Sequence, residues 1–214
     1  MTLTKELTQR RENSAKAIPQ DKYQVMQQST QKLLDAKLSA RAVKTGDTLP
    51  NFMLPDESGN EITLNQILQQ DYLIISFYRG GWCPYCNMEL RALQQFSEDF
   101  KNFGANLVAI SPETPDNSLT TSEKNELQFK ILSDIDNQYA KELNLAFQMP
   151  EDLKDVYHSF GLHVDEHNGN SNYELPMPAT YIIDKNKNVI YDFVPEDYTQ
   201  RLDPKEILEF LKGR

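Results

Sequence analysis

The chain has 214 residues, and its 22 lysines and arginines against 32 aspartates and glutamates leave a net charge of −10. That acidity argues against nucleic acid or an anionic membrane surface as a partner. With 39% hydrophobic and 25% charged residues it reads as one globular domain with an appendage, and its two cysteines exclude a disulfide scaffold, so a reducing cytoplasm is the expected compartment.

The first residues, Met1 to Glu6, lack the apolar core of a secretory signal, no lipidation motif is visible, and the longest apolar runs, such as Tyr72 to Tyr78, fall far short of a membrane span. Residues 1–44 are rich in Gln, Lys and Glu, contain no glycine, and space Val25, Met26, Leu33, Leu34 and Leu38 along a helical stripe. Pro19 divides them into two helical pieces. An amphipathic stripe does not name what it buries, so this extension either packs on the rest of the chain or buries Leu33 and Leu34 in a homodimer.

A second region, residues 45–214, carries the α/β pattern. Phe52–Leu54 and Glu61–Thr63 read as a hairpin about a turn-rich loop, and Leu64–Leu68 as a short helix. Tyr72–Tyr78 is nearly continuous in apolar character, as a central strand covered on both faces should be. After the cysteines, Leu90, Leu93, Phe96, Phe100 and Phe103 recur at helical spacing up to Gly104. Leu107–Ile110 then completes a β-α-β unit with a parallel pair. Helices are predicted from Pro115 to Asn125, Asn137 to Leu143 and Pro150 to Phe160, and a strand over Phe129–Leu132. Gly161–Glu174 reads as a polar loop. Thr180–Asp184 and Val189–Phe193 form a hairpin, so the sheet is mixed, and Asp203-Pro204 starts the last helix with an N-cap and a proline at its first position.

Cys83-Pro84-Tyr85-Cys86 holds both cysteines, directly after that central strand and a Gly80-Gly81-Trp82 turn. Strand, C-x-x-C, helix is the layout of a thiol redox site on a thioredoxin-like fold. With Pro84 at the first helical position, Cys83 is the N-cap, and the free amides at the helix start lower its pKa below the usual thiol value of about 8.5. Three residues on, Cys86 shares the same helix face at about 5–6 Å between β-carbons, a spacing that lets a disulfide open and close. Arg79 in the turn either adds positive charge near the thiolate or is a surface arginine. No metal or other cofactor is expected, since zinc takes about four ligands and there is no second C-x-x-C. His163 and His167, with Asp165 and Glu166 between them, read as a solvated acidic loop rather than a metal site, and His158 as a helix-surface residue.

Phe77–Cys86, Ala109–Ser118 and Pro178–Asp184 together resemble the peroxiredoxin-like branch of the alkyl hydroperoxide reductase/thiol-specific antioxidant family, over nearly the whole chain. The resemblance implies a thioredoxin-like fold and a thiol-dependent peroxidase. Its substrate would be hydrogen peroxide or an organic hydroperoxide, and a thioredoxin- or glutaredoxin-type thiol would recycle the Cys83–Cys86 disulfide. The likeness to thioredoxin-like folds implies that Pro178 is a cis-proline against the cysteines and that Met177 offers its backbone to a bound partner.

The motif departs from the family at informative places. The peroxiredoxin pattern P-x-x-x-T-x-x-C, laid on without gaps, puts Arg79 at the proline, Cys83 at the threonine and Cys86 at the peroxidatic cysteine. The arginine that completes the peroxide site is missing from its usual strand, where Pro178 stands. Pro84-Tyr85 is also the pair glutaredoxins use between their cysteines. Two mechanisms follow: Cys86 attacks peroxide and Cys83 resolves the sulfenic acid, or Cys83 attacks a substrate disulfide and Cys86 releases it. A redox-sensing module acting through the N-terminal helices is a third class.

Overall fold

The computed structural model describes residues 2–214. Helices α1 (Leu3–Ala17) and α2 (Gln20–Ala36) meet at Pro19, as the sequence implies, and form a helical hairpin. Strands β1 (Met53–Pro55) and β2 (Glu61–Thr63) pair antiparallel, and Thr63 and Gln66 form a capping box on α3 (Leu64–Ile67). Strand β3 (Tyr72–Phe77) leads through the Gly80-Gly81 turn into α4 (Pro84–Asn102), followed by β4 (Ala105–Ser111), α5 (Pro115–Lys124), β5 (Lys130–Ser133) and α6 (Gln138–Glu142). Next come β6 (Ala146–Gln148), α7 (Glu151–His158), α8 (Val164–Asn168), β7 (Glu174–Pro176), β8 (Ala179–Asp184), β9 (Val189–Phe193) and α9 (Pro204–Lys212).

The main sheet has the order β5-β4-β3-β8-β9, with β3, β4 and β5 parallel and β8 and β9 antiparallel to their neighbours. It is the mixed, helix-flanked sheet of a thioredoxin-like fold. Alternation along the strands sends side chains to opposite faces. Leu73, Ile75 and Phe77 join Val108, Ile110 and Ile183 in one core layer; Ile74 joins Ala109, Ile131 and Ile182 in the other. The second layer is the one that matters for chemistry. It contains Cys83 and Cys86, the inner face of α4 (Leu90, Leu93, Phe100), Ile207 and Leu211 of α9, and Leu3 and Leu7 of α1. The N-terminal hairpin is therefore part of the packing around the cysteines: α1 lies on α4, and α2 lies on α7 through Val25 and Met26.

Three expectations are corrected. Phe103, at the end of the predicted apolar stripe, sits at the C-cap of α4 and is 42% exposed. Residues 161–174 are not all loop: α8 forms there because Val164 and Asn168, one turn apart, are both buried. The resemblance-based cis-proline is absent, since no peptide bond among the described residues is cis. Met177 lies between β7 and β8, and its N–H donates to the Leu145 carbonyl at 2.9 Å. A residue before proline favours this extended course. Met177 is 1% exposed and packs in the layer opposite the cysteines, and Met26 and Leu33 of α2 lie beside Pro178, so the backbone offered to a partner in the thioredoxin pattern is covered here.

Candidate active site

The Gly80-Gly81 turn aims Cys83 at the start of α4. Gly80 has φ +150°, and a Cβ there would meet Trp82 Nε1 at 2.3 Å; one on Gly81 would meet Thr121 Oγ1 at 1.9 Å. Only glycine fits either position. Gly81 N–H donates to Glu113 Oε2 at 2.8 Å, and Asn87 Nδ2 donates to the Gly81 and Cys83 carbonyls at 2.7 and 3.2 Å. Glu113, 1% exposed, lies in the Ala109–Ser118 stretch that carried the resemblance, and His167 Nδ1 stands 3.2 Å from its other oxygen.

Cys83 is the N-cap and Pro84 the first helical residue, as the sequence requires. The sulfurs are nearly enclosed, Cys83 at 1% and Cys86 at 0% exposure, and both are free thiols. Burial pushes the Cys83 thiol up. The hydrogen bond from the Cys86 side chain, the charges of Arg79 and Arg201, and the Cys86 amide together outweigh burial and lower it to about 6. The amide faces the sulfur without the geometry of a full cap hydrogen bond. Cys86 moves the other way: burial, then the hydrogen bond and negative charge of Cys83, raise it well above the ordinary thiol value, against Arg201 and Arg79. The reduced pair thus carries one thiolate, on Cys83, held by the Cys86 thiol.

Two buried arginines frame the pair. Arg79 is 2% exposed and not a surface residue. Its Nη2 donates to the Tyr157 hydroxyl at 2.6 Å, and its guanidinium carbon lies 4.4, 4.9 and 5.8 Å from the ring centres of Tyr198, Trp82 and Tyr157. This aromatic box holds a cation beside Cys83. Arg201 comes from the segment after β9. Its Nη2 lies 3.2 Å from Cys86 Sγ, its Nη1 donates to the Tyr198 and Gln200 carbonyls at 2.6 and 2.7 Å, and its Nε donates to Glu89. Burial acts on Glu89 more strongly than Arg201 does and raises its carboxyl to about 7. On Arg201 the anionic neighbours outweigh burial and keep it protonated.

Arg201 corrects the expectation of a missing arginine: the cation stands at the cysteines after all, supplied from a different segment. Its partner left a trace in the sequence. Glu89, three residues after Cys86, falls on the apolar face of α4 beside Leu90 and Leu93, where a charge needs a buried partner. Tyr157, Tyr198 and Glu113 also belong to the site, and no local spacing announces them.

Beside Cys83 lies a cavity of about 530 Å³. The N-terminal hairpin roofs it with Ala15, Ile18, Tyr23 and Met26 and with the polar Arg10, Glu12, Ser14, Gln27, Thr30 and Gln31, while Arg79, Trp82, Cys83, Pro84, Tyr85 and Tyr157 form its floor. Tyr85 is 4% exposed and packs edge-on against Tyr198, ring centres 5.6 Å apart. Cys86 does not line the cavity; it lies behind Cys83 against Arg201. Met177 and Pro178 are not part of this lining either.

The histidines separate. His167 turns to Glu113, whereas His163 stacks on His158 with ring centres 5.0 Å apart. Among the described residues, His158, His163 and Asp165 bring one potential ligand atom each within 4.8 Å of one another and could hold a metal ion. They lie outside the cavity lining and supply three ligands where a structural zinc takes four.

The AhpC/TSA family model matches residues 45–192. The chain belongs to that family. Peroxiredoxin Bcp of Escherichia coli (strain K12) is 29% identical over 103 residues, 48% of this chain and 65% of the Bcp chain, so the match spans just under two thirds of that relative. The chloroplastic peroxiredoxin Q of Sedum lineare is 29% identical over 174 residues, covering 79% of this chain and 80% of its own. Among solved structures, peroxidoxin BcpB from Mycobacterium tuberculosis superposes with a TM-score of 0.63 at 20% identity, over 80% of this chain and 97% of that one. AhpC from Enterococcus faecalis gives 0.61 at 12% identity, over 79% and 90%. These likenesses confirm the thioredoxin-like fold. The AhpC/TSA match begins at residue 45, so the hairpin that roofs the cavity lies outside it.

Proposed function

We propose that this AhpC/TSA protein is a thiol-dependent peroxidase in which Cys83 attacks the peroxide and Cys86 resolves. The observation that carries the reading is the position of Cys83: it borders the cavity beside Arg79, where the surrounding charges lower its thiol, while Cys86, whose thiol is raised, lies behind it. The gapless family pattern puts the peroxidatic sulfur at Cys86, and the thioredoxin pattern puts the nucleophile at Cys83; access and charge both favour Cys83.

In the first step the Cys83 thiolate attacks the terminal peroxide oxygen. An S–O bond forms, the O–O bond breaks, and the leaving alkoxide or hydroxide takes a proton from water, leaving Cys83 as a sulfenic acid. Arg79 supplies positive charge where the leaving oxygen gains its negative charge. Oxidation then changes Cys86. Two of the three causes that raise its thiol, the hydrogen bond and the anion at Cys83, disappear once Cys83 is neutral, and Arg201 at 3.2 Å now favours the Cys86 thiolate. Cys86 attacks the Cys83 sulfur, the S–O bond breaks, and water leaves with the Cys86 proton. An external thiol, of the thioredoxin or glutaredoxin type, reduces the Cys83–Cys86 disulfide by exchange.

The test is to treat Cys86→Ser with one equivalent of hydrogen peroxide, trap sulfenic acid with dimedone and locate it by mass spectrometry, alongside Cys83→Ser. The adduct is expected on Cys83; an adduct only on Cys86 in Cys83→Ser reverses the roles. Peroxide consumption with a thioredoxin reducing system is run beside reduction of a model protein disulfide, and activity only in the second assay sinks the peroxidase reading.

A further inference from the structure

The cavity beside Cys83 is larger than hydrogen peroxide needs. A water-sized molecule occupies about 30 Å³, whereas this space of about 530 Å³ is in the range of pockets that enclose small organic ligands. Its floor is the redox site. Its roof is not: Ala15, Ile18, Tyr23 and Met26 come from the hairpin of α1 and α2, outside the residues matched by the family. Those side chains are apolar or aromatic, and they face Trp82, Tyr85 and Tyr157 across the cavity. Of the cations at the lining, Arg79 stands in its aromatic box beside Cys83 with its Nε buried and unpaired, Arg11 lies 3.9 Å from Asp197, and Arg10 lines the space as well. Glu12, Ser14, Gln27, Thr30 and Gln31 also line the space, but most of the surface it offers a ligand is apolar.

We infer that the N-terminal hairpin is a specificity element: Ala15, Ile18, Tyr23 and Met26 form the wall that binds the apolar group of a bulky organic hydroperoxide and presents its O–O bond to Cys83. This rests on the peroxidase reading and deepens it. A branched aromatic hydroperoxide such as cumene hydroperoxide suits such a wall, because its phenyl ring contacts aromatic and aliphatic side chains while its terminal oxygen stays at the sulfur. Hydrogen peroxide has nothing to place on it. Binding energy from the apolar group then orients the reacting end.

The experiment compares kcat/KM for cumene hydroperoxide and for hydrogen peroxide in the wild type and in Ala15→Phe, which projects a ring from α1 into the cavity. In the wild type the ratio favours cumene hydroperoxide at least tenfold, and Ala15→Phe lowers it by about tenfold or more, the scale on which apolar pockets discriminate by shape. A second readout needs no turnover and no variant. Trp82 is the only tryptophan of the chain and lines the cavity. Titration of the reduced wild type with cumyl alcohol, the product of the first step, is expected to change its fluorescence saturably. A ratio near one in the wild type, a ratio that folded Ala15→Phe leaves unmoved, or no saturable response of Trp82 overturns the assignment of the wall. Consumption of neither peroxide sinks instead the peroxidase reading on which it stands.

Discussion

Cys83 and Cys86 have the same side chain and differ only in surroundings, yet one is driven to the thiolate and the other away from it. Cys83 is lowered to about 6, chiefly because the Cys86 thiol, Arg79 and Arg201 together exceed the cost of burial. Iodoacetamide alkylation of the reduced protein should therefore rise through about pH 6 at Cys83, and Cys86 should stay unmodified to well above neutral pH. The same shift links to stability. A thiol with a depressed folded-state pKa binds fewer protons folded than unfolded, so its contribution is present above the unfolded value of about 8.5 and is lost as pH falls through about 6. The stability difference between reduced wild type and Cys83→Ser should widen from pH 6 to 8.5, followed by urea denaturation; a difference that is flat or narrows over that window contradicts the assignment. Arg201→Met should move the alkylation profile of Cys83 to higher pH, because it removes one of the two cations acting on that sulfur.

At the scale of elements, the turn between β3 and α4 is the part that tolerates least. Gly81→Ala would drive a methyl group to 1.9 Å from Thr121 Oγ1. The overpacking should destabilise the protein by about 1–3 kcal/mol, and Thr121→Ala in the same chain should restore part of the loss; equal losses in the single and double variants in urea denaturation would exclude the clash as the cause. How much of this was legible in the sequence follows from how local each feature is. The start of α4 is local: Pro84 after Cys83, and the apolar spacing to Phe100, fix the helix and its N-cap within one stretch of chain. The pairing of Glu89 with Arg201 is not, since the two lie 112 positions apart and no spacing rule joins them; only the carboxylate on the apolar face of α4 hinted at a buried cation. The helix α8 rests on Val164 and Asn168 alone, too few positions to establish a period. Pro178 misled because the cis-proline belonged to the thioredoxin pattern, whereas here the chain passes extended from β7 to β8 with the Met177 amide already bonded to Leu145.

In the whole molecule, the hairpin that builds the cavity also stands in the way of anything large. Cys83 is 1% exposed beneath α1 and α2. The cavity gives a peroxide or a small dithiol a path to it, whereas a folded protein reductant must bring its own sulfur to within bonding distance of a disulfide that is almost fully covered. The stripe on α2 that could have served a homodimer is largely used inside the chain: Val25 and Met26 pack on α7, Leu33 lies beside Pro178, and Leu34 remains 41% exposed. For a reductant that is itself a protein, release of α2 from α7 would open the way to Cys83, against the contacts of Val25 and Met26 with the cluster around Leu153, Val156 and Tyr157. Val25→Ala trims that interface at a residue outside the cavity lining. If the roof gates the disulfide, stopped-flow measurement of its reduction by a thioredoxin-type protein should be severalfold faster in Val25→Ala than in the wild type, whereas reduction by dithiothreitol should be unchanged. Equal acceleration with both reductants would mean that the substitution loosens the site itself, and no acceleration with either would mean that a protein thiol reaches Cys83 with the hairpin in place.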